Sequence, residues 1–318
     1  MEPGKSPLTS TPPGRVPGRE LSIGEVLETT FSLYQRDFSK YFLLFAIVQV
    51  VIGVVNALVR LAFVLPMPPV NATPQQFYDW FPGFFAALGA ILLITIVVTI
   101  VFVPIAQGSA MKLASDRIDK GQADLGAAVR LAASRLLGIW ALSIIVGILV
   151  VVGFIALIVP GIILGIMFSL AIPALIIENK GVSASMDRSR QLVGHRWGKS
   201  FVLYLVIGII IVIASVIVSV IASVIVSAVS TPFGIASPVV SGLLSALYEP
   251  LVPILLTVYF YSNVARIAPP MAPPYMMDRM PGGPAMTGQP GMKFCVACGT
   301  QMAATSMICP KCGNAQPA

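Results

Sequence analysis

The stretch LLGIWALSIIVGILVVVGFIALIVPGIILGIMFSLAIPALII, residues 136 to 177, contains no Asp, Glu, Lys or Arg over 42 residues. A helix needs about 20 apolar residues to cross the hydrocarbon core of a bilayer, so this stretch is long enough for two crossings. Pro160 and Gly161 lie near its middle, and both residue types favour a turn. We therefore predict two membrane-spanning helices, 136–159 and 161–178, joined by a very tight turn.

The rest of the chain has the same apolar character. Of its 318 residues, 57% are hydrophobic and only 10% are charged, and the mean hydropathy is +0.90. This composition is too apolar for a soluble domain of that length, so we predict an all-α polytopic membrane protein. Runs of sufficient length predict six transmembrane helices, at 41–64, 84–108, 136–159, 161–178, 200–229 and 239–265.

Lys and Arg residues alternate between the predicted loops. They lie before the first span, in the second and fourth loops and after the last span, whereas the first, third and fifth loops hold none. Loops rich in Lys and Arg stay in the cytoplasm, which predicts a multi-pass protein of a bacterial-type plasma (inner) membrane with both termini cytoplasmic. The net charge of +7 then favours anionic lipid headgroups. No basic run is interleaved with aromatic residues, so no nucleic-acid partner is expected.

The C-terminal sequence KFCVACGTQMAATSMICPKCGNA, residues 293 to 315, contains two CxxC pairs formed by the four cysteines of the chain, Cys295, Cys298, Cys309 and Cys312. Thiols in a reducing cytoplasm do not persist as disulfides, and this spacing is typical of a structural four-thiolate zinc site. We predict that residues 293–318 form a zinc ribbon. A segment this small cannot bury a sufficient core, so its folding is expected to depend on the metal.

Two segments rich in Pro and Gly flank the membrane domain, which we assign to residues 21–268. Residues 1–20 contain no apolar run and are predicted to be a disordered tail. Residues 269–292, rich in Pro, Met and Gly, are predicted to be a flexible linker to the ribbon.

An internal repeat indicates further organisation. SIGEVLETTFSLYQRDFSKYFLL from Ser22 aligns without gaps with GVSASMDRSRQLVGHRWGKSFVL from Gly181, and a looser copy begins at Asp124. Each copy predicts an amphipathic interface helix that leads into an odd-numbered span. Three tandem units, 21–108, 122–178 and 181–268, are therefore predicted, with chance similarity in a chain of restricted composition as the alternative.

The first and last copies carry recognisable signals. Ser22 and Glu25 form a capping box, and Leu21 can pack on Val26. An apolar face suited to the headgroup boundary or to packing under the bundle follows at Ile23, Leu27, Phe31, Tyr34 and Phe38. In the last copy the candidates for contact with lipid headgroups, or for simple positive-inside anchoring, are Arg188, Arg190, Arg196 and Trp197.

Glu249 lies about ten residues inside the sixth predicted span and is followed by Pro250 and Pro253. Ionisable groups within a membrane are costly and usually functional, which favours transport or a channel. A structural pair with Arg60, or a protonated carboxyl group, explains Glu249 equally well. In the fifth span, small residues at a spacing of four predict a close helix-packing surface, with a polar pore wall as the alternative, at Ser215, Ser219, Ser223 and Ser227.

Two stretches resemble a known family. VPIAQGSAMKLASDRIDKGQADLGAAVRLAASRLLG and ALIVPGIILGIMFSLAIPALIIENKGVSASMDRSRQLVGHRWGKSF resemble the membrane domain that accompanies some bacterial glycerophosphoryl diester phosphodiesterases and also occurs alone in bacterial membrane proteins. The likeness covers roughly residues 20 to 268. FCVACG and ICPKCGN resemble the short zinc ribbons appended to many prokaryotic proteins. The resemblance implies no active site in the membrane part.

Catalysis is not predicted. The catalytic barrel of that family needs histidines and a carboxylate cluster to hold a metal, on a domain of about 250 residues. This chain has one histidine, His195, and about 50 residues after its last span. We predict a non-catalytic membrane scaffold or adaptor whose zinc ribbon docks a cytoplasmic protein, or alternatively a small-solute transporter or channel that uses Glu249. The sequence leaves the partner, the solute and the oligomeric state open.

Overall fold

The computed structural model describes residues 19–63, 73–194, 196–228, 236–267, 292–294, 301–303 and 306. The first four of these ranges are mainly helical, with α1 (Ile23–Arg36), α2 (Phe38–Ala62), α3 (Pro74–Lys120), α4 (Leu125–Ser134), α5 (Leu136–Ala156), α6 (Ile158–Phe168), α7 (Ala171–Ile177), α8 (Val182–Val193), α9 (Trp197–Ala228), α10 (Ala236–Ser245) and α11 (Leu251–Ile267). The chain divides into two compact units, Met1–Pro269 and Pro270–Ala318. Apart from Arg19, Glu20 and Met292, the predicted tail and linker lie outside the described residues.

Five helical segments within the described ranges are long and apolar enough to cross a membrane, namely Phe38–Val59, Pro74–Lys120, Leu136–Ala156, Ile158–Ile177 and Trp197–Ser227. They overlap the first five predicted spans, so the helical, membrane-type fold is confirmed at this level. Many aliphatic side chains on these helices are exposed, including Leu137 at 78% and Ile155 at 80%. Apolar surface on that scale needs lipid or another apolar partner to cover it.

The sixth predicted span, 239–265, is not one continuous helix. α10 ends at Ser245, residues 246–250 form a turn, and α11 begins at Leu251. Pro250 and Pro253 lack the N–H groups that a continuous helix would use, and a proline ring clashes with the carbonyl group four residues earlier. Six complete crossings therefore stay a prediction.

The turn between the third and fourth spans was predicted three residues too late. α5 and α6 are separated at Leu157, whose backbone is extended at φ −168° and ψ 155°, and Pro160 lies in the first turn of α6. A proline fits there because the first N–H groups of a helix have no partner within the helix. Gly153 and Gly161 instead allow the two helices to touch, since a Cβ on Gly153 would lie 2.9 Å from the Cα of Gly161.

The second span extends well beyond 84–108. α3 has 47 residues and begins at a capping box formed by Thr73 and Gln76, with Pro74 in its first turn. It ends at Gly121, whose φ of 71° is the left-handed conformation that glycine adopts without strain. These cap signals explain why the helix continues past its apolar segment.

The helices predicted to precede the odd-numbered spans are present. α1, α4 and α8 each lead directly into α2, α5 and α9, although the three-unit organisation itself stays a prediction. The capping box of Ser22 and Glu25 is formed, and Leu21 and Val26 are both buried.

The buried face of α1 is displaced from the predicted one. Its fully buried residues are Val26, Thr30 and Leu33, whereas Phe31 and Phe38 are 36% and 41% exposed. α1 packs mainly against α11. The side chains on the side of α1 that faces α11 are therefore the buried ones. The exposed phenylalanines remain free to meet an apolar phase.

In the C-terminal unit, β1 (Met292–Phe294) pairs antiparallel with β2 (Gln301–Ala303), and Phe294 lies opposite Gln301. The six residues between the strands include Cys295 and Cys298. All four cysteines lie outside the described residues, so the zinc ribbon stays a prediction.

Candidate functional site

Glu249 lies in the turn between α10 and α11. The N–H groups of Tyr248 and Glu249 donate to the carbonyl group of Ser245 at 3.0 and 3.1 Å, which closes the end of α10. Helices carry partial positive charge at the N-terminus and partial negative charge at the C-terminus, and Glu249 lies between the C-terminus of α10 and the N-terminus of α11. The end of α10 favours a cation nearby.

Gln49 on α2 holds the carboxylate. Its Nε2 donates to Oε1 of Glu249 at 2.5 Å. Gln49 lies near the middle of the apolar segment Phe38–Val59, which places the carboxylate at mid-depth along that helix. Gln49 is not among the predicted site residues, although an amide within an apolar run indicates a polar contact between helices.

Two glycines let α10 approach α2 at this point. A Cβ on Gly53 would lie 3.0 Å from the Cα of Val239, and a Cβ on Gly242 would lie 3.3 Å from the backbone oxygen of Gln49. Larger side chains would separate the helices, because small residues permit close packing of backbones. The glycines therefore keep Gln49 within hydrogen-bond reach of Glu249.

Two cavities meet at this hydrogen bond, and Gln49, Tyr248 and Glu249 line both of them. The first, which we name the Phe45 cavity, has a volume of about 260 Å³, and its other lining residues include Phe45, Val48, Gln107, Ile211 and Val252. The second, which we name the Asn56 cavity, has a volume of about 500 Å³, and its other lining residues include Asn56, Ser215, Ser219, Ser237, Ser241 and Ser245.

The two cavities follow one another along the bundle. On α2, residues 45–49 contact the Phe45 cavity and residues 49–56 contact the Asn56 cavity. On α9, Ile211 contacts the first cavity, and Ser215 and Ser219 contact the second. The hydrogen bond between Gln49 and Glu249 therefore lies between the cavities.

The Asn56 cavity has a mainly polar wall. Asn56 accepts a hydrogen bond from the hydroxyl group of Thr95 at 3.0 Å. Ser215 and Ser219 line the cavity, whereas Ser223 and Ser227 are not among its lining residues. Ser215 and Ser219 therefore agree with a polar wall, while the close helix-packing surface stays a prediction, since α9 also packs against α10.

The predicted pair of Arg60 and Glu249 is not decided by these contacts. Within the described part of the chain, Gln49 is the hydrogen-bond partner of Glu249. Arg60 lies eleven residues beyond Gln49 on α2, which corresponds to about 16 Å of helix rise. The side chain of Arg60 lies outside the described residues, so the pair stays a prediction.

Ion pairs surround the other end of the bundle. Asp37, between α1 and α2, accepts bonds from both Nε and Nη2 of Arg117 at the end of α3, and its side chain is 3% exposed. Burial raises the pKa of Asp37, but hydrogen bonds from Arg117 and Lys40 outweigh burial and lower that pKa below its usual value. The ionised pair therefore fixes the α1–α2 junction on α3.

Two of the headgroup candidates are engaged by carboxylates. Arg188 pairs with Glu178 at 3.0 Å and Arg196 pairs with Glu20 at 2.7 Å. Burial raises the pKa of Glu178, but hydrogen bonds from Lys180 and Arg188 outweigh burial and lower it. These two arginines thus make contacts within the protein, and their contact with headgroups stays a prediction.

The other two candidates point away from such contacts. Arg190 is exposed. Trp197 is 41% exposed and stacks on Phe201 at a ring-centroid distance of 5.8 Å. Contact of these side chains with headgroups stays a prediction, and His195 lies outside the described residues.

No cluster of three or more His, Cys, Asp or Glu side chains suited to a metal ion occurs in the portion of the chain that the structure describes. The four cysteines are not in that portion, so zinc stays a prediction from their spacing.

No family model, curated protein or solved structure matches the chain. The fold itself defines the class, a helical protein with several helices able to cross a membrane.

Proposed function

We propose that the protein binds a small polar solute at Glu249 and conducts it across the membrane, as a transporter or a channel. One observation carries the proposal: a carboxylate at mid-depth of α2 lies between two cavities that follow one another along the bundle. In this proposal the protein resides in a bacterial-type plasma membrane with both termini cytoplasmic. It has no catalytic role.

The broken helix supports this function over a purely structural role for Glu249. Interrupted spans are tolerated at membrane depth where they are buried in protein or line a polar cavity. Such interruptions commonly form the solute sites of transporters. The turn 246–250 contributes Tyr248 and Glu249 to both cavities. A scaffold would not need this break, because a continuous apolar helix would anchor it in the membrane equally well.

Flux through purified protein in liposomes tests the proposal. A panel of small neutral, cationic and anionic solutes would be supplied to the wild type and to Glu249→Gln, which keeps a hydrogen-bonding side chain of nearly the same size. We expect at least one solute to cross in the wild type and its flux to fall about a hundredfold in Glu249→Gln, because the variant removes the one charged side chain among the described lining residues.

The matched control is Glu28→Gln, which removes an exposed carboxylate on α1 and should leave flux unchanged. Absence of flux for every solute in the wild type would contradict the proposal. Equal flux in wild type and Glu249→Gln would also contradict it.

A docking function for the C-terminal unit is a second candidate, supported by a different observation. The antiparallel strands β1 and β2 bracket the first CxxC pair, and a hairpin of this kind is a common setting for two thiolate ligands. We propose that a zinc ribbon on the linker docks a cytoplasmic protein. Co-purification from crosslinked membranes should lose a partner in Cys309→Ser, and an unchanged set of partners would contradict docking.

A further inference from the structure

We infer that the solute of the Glu249 site is a small monovalent cation, either an alkali ion or a protonated amine, and that the amide of Gln49 competes with this cation for the carboxylate of Glu249. This inference rests on the proposed function and deepens it. Three features of the cavities support it: their charge, the direction of their hydrogen bonds and the number of their carboxylates.

The charge of the lining excludes anions. Among the described residues that line the two cavities, Glu249 is the only charged side chain, and no Lys, Arg or His is present. A lining with one negative charge and no cation repels an anion. A bound cation, in contrast, would find a negatively charged partner for its buried charge.

The hydroxyl groups of the Asn56 cavity present acceptors to the solute. Four of the five lining serine hydroxyls donate their proton to a carbonyl group within their own helix, at 2.8 Å for Ser215, 2.8 Å for Ser219, 2.7 Å for Ser241 and 2.8 Å for Ser245. The lone pairs of these oxygens remain available. These four oxygens could therefore serve as ligands for a cation.

The carboxylate count favours a single positive charge. Protein sites for Ca²⁺ are built from six to eight oxygen ligands that include several carboxylates, and transition metals select imidazole or thiolate ligands. The described lining offers one carboxylate and neither of those ligands. One negative charge balances one positive charge, and the carbonyl end of α10 adds a partial negative charge beside it.

Gln49 acts as the stand-in for the cation. Its amide N–H donates to Glu249 at 2.5 Å and so supplies the partial positive charge that a bound cation would supply. A cation that binds Oε1 of Glu249 competes with this amide. Gln49 therefore opposes binding of the cation to Glu249 and lies between the two cavities.

Thermal unfolding in detergent tests the inference. The melting temperature Tm would be measured in NaCl, RbCl and methylammonium chloride, each against N-methylglucamine chloride at the same ionic strength. We expect a saturable rise in Tm with at least one small cation, and the preferred salt distinguishes alkali ions from amines. In Glu249→Gln the apparent affinity should fall about tenfold or more, which corresponds to the loss of about 1.4 kcal/mol.

Gln49→Leu distinguishes competition between Gln49 and the cation from a purely structural role of Gln49. It leaves Glu249 without its donor, so the cation-free protein should melt earlier and the cation should raise Tm by more than in the wild type. Glu28→Gln should behave as the wild type. If Glu249→Gln does not fold, Glu249→Asp retains the charge at a shorter reach and should still show a weakened cation response.

Equal Tm values in small-cation and N-methylglucamine salts would overturn the inference, as would a cation response that persists in Glu249→Gln. The flux panel separates this failure from failure of the proposed function. Glu249-dependent flux of a neutral or anionic solute would leave the proposed function standing and reject the cation. Absence of all flux would reject both.

Discussion

At the residue scale, the most deeply buried ion pair in the described part of the chain is the one between Asp37 and Arg117. The side chains are 3% and 15% exposed, so water cannot replace either partner well. Asp37→Asn removes the charge that pairs with Arg117, and we expect a lower detergent Tm equivalent to about 1–3 kcal/mol of stability. Lys180→Gln, which affects a 38% exposed lysine, should cost less than about 1 kcal/mol. Equal losses in the two variants would contradict this ranking.

The residues of the site could be predicted only in part. Glu249 is evident from the sequence because a charge in an apolar run is rare and costly. Gln49 was not predicted, since an amide in a span has many possible partners and only the packing of α10 on α2 shows which one it meets. The roles of Gly53 and Gly242 could not be predicted for the same reason, because each depends on the backbone of the helix that packs opposite it.

At the element scale, the α5–α6 hairpin depends on two glycines in contact. A Cβ on Gly153 would lie 2.9 Å from the Cα and 3.0 Å from the backbone nitrogen of Gly161, and backbone atoms cannot move aside cheaply. Gly153→Ala should therefore separate the helices and lower stability by about 1–3 kcal/mol. Gly147→Ala is the control on the same helix, because nothing lies within 4 Å of its added Cβ, and alanine favours a helix.

The same Tm assay decides between the two glycines. We expect a clear loss for Gly153→Ala and an unchanged or slightly higher Tm for Gly147→Ala. A Gly153→Ala protein as stable as the wild type would show that the hairpin does not need this close approach.

Element positions followed from the sequence more readily than element ends. Apolar runs placed the first five membrane-type helices because charges are few in them and lie near their ends, as Arg60 and Glu178 do. Their ends depend on caps, and α3 continues to Lys120 because Gly121 ends it. The break in the sixth span has a sequence signal in Pro250 and Pro253. Its consequence, a carboxylate on two cavities, required the positions of α2 and α9.

At the scale of the whole molecule, the proposed function requires that the two cavities on either side of Glu249 open to opposite faces of the membrane. Gln107 lines the Phe45 cavity and Ser219 lines the Asn56 cavity, and both side chains are exposed. The predicted orientation assigns the Phe45 cavity to the cytoplasmic side, because residues 45–49 are nearer the N-terminal end of α2. Cysteine substitution at these two positions makes this requirement measurable.

The decisive measurement is labelling of Gln107→Cys and Ser219→Cys by a membrane-impermeant maleimide, resolved from the native cysteines by peptide mass mapping. The account predicts that Ser219→Cys reacts from outside intact cells and that Gln107→Cys reacts only in inside-out vesicles. Reaction of both positions from the same side, or of neither position from any side, would contradict it.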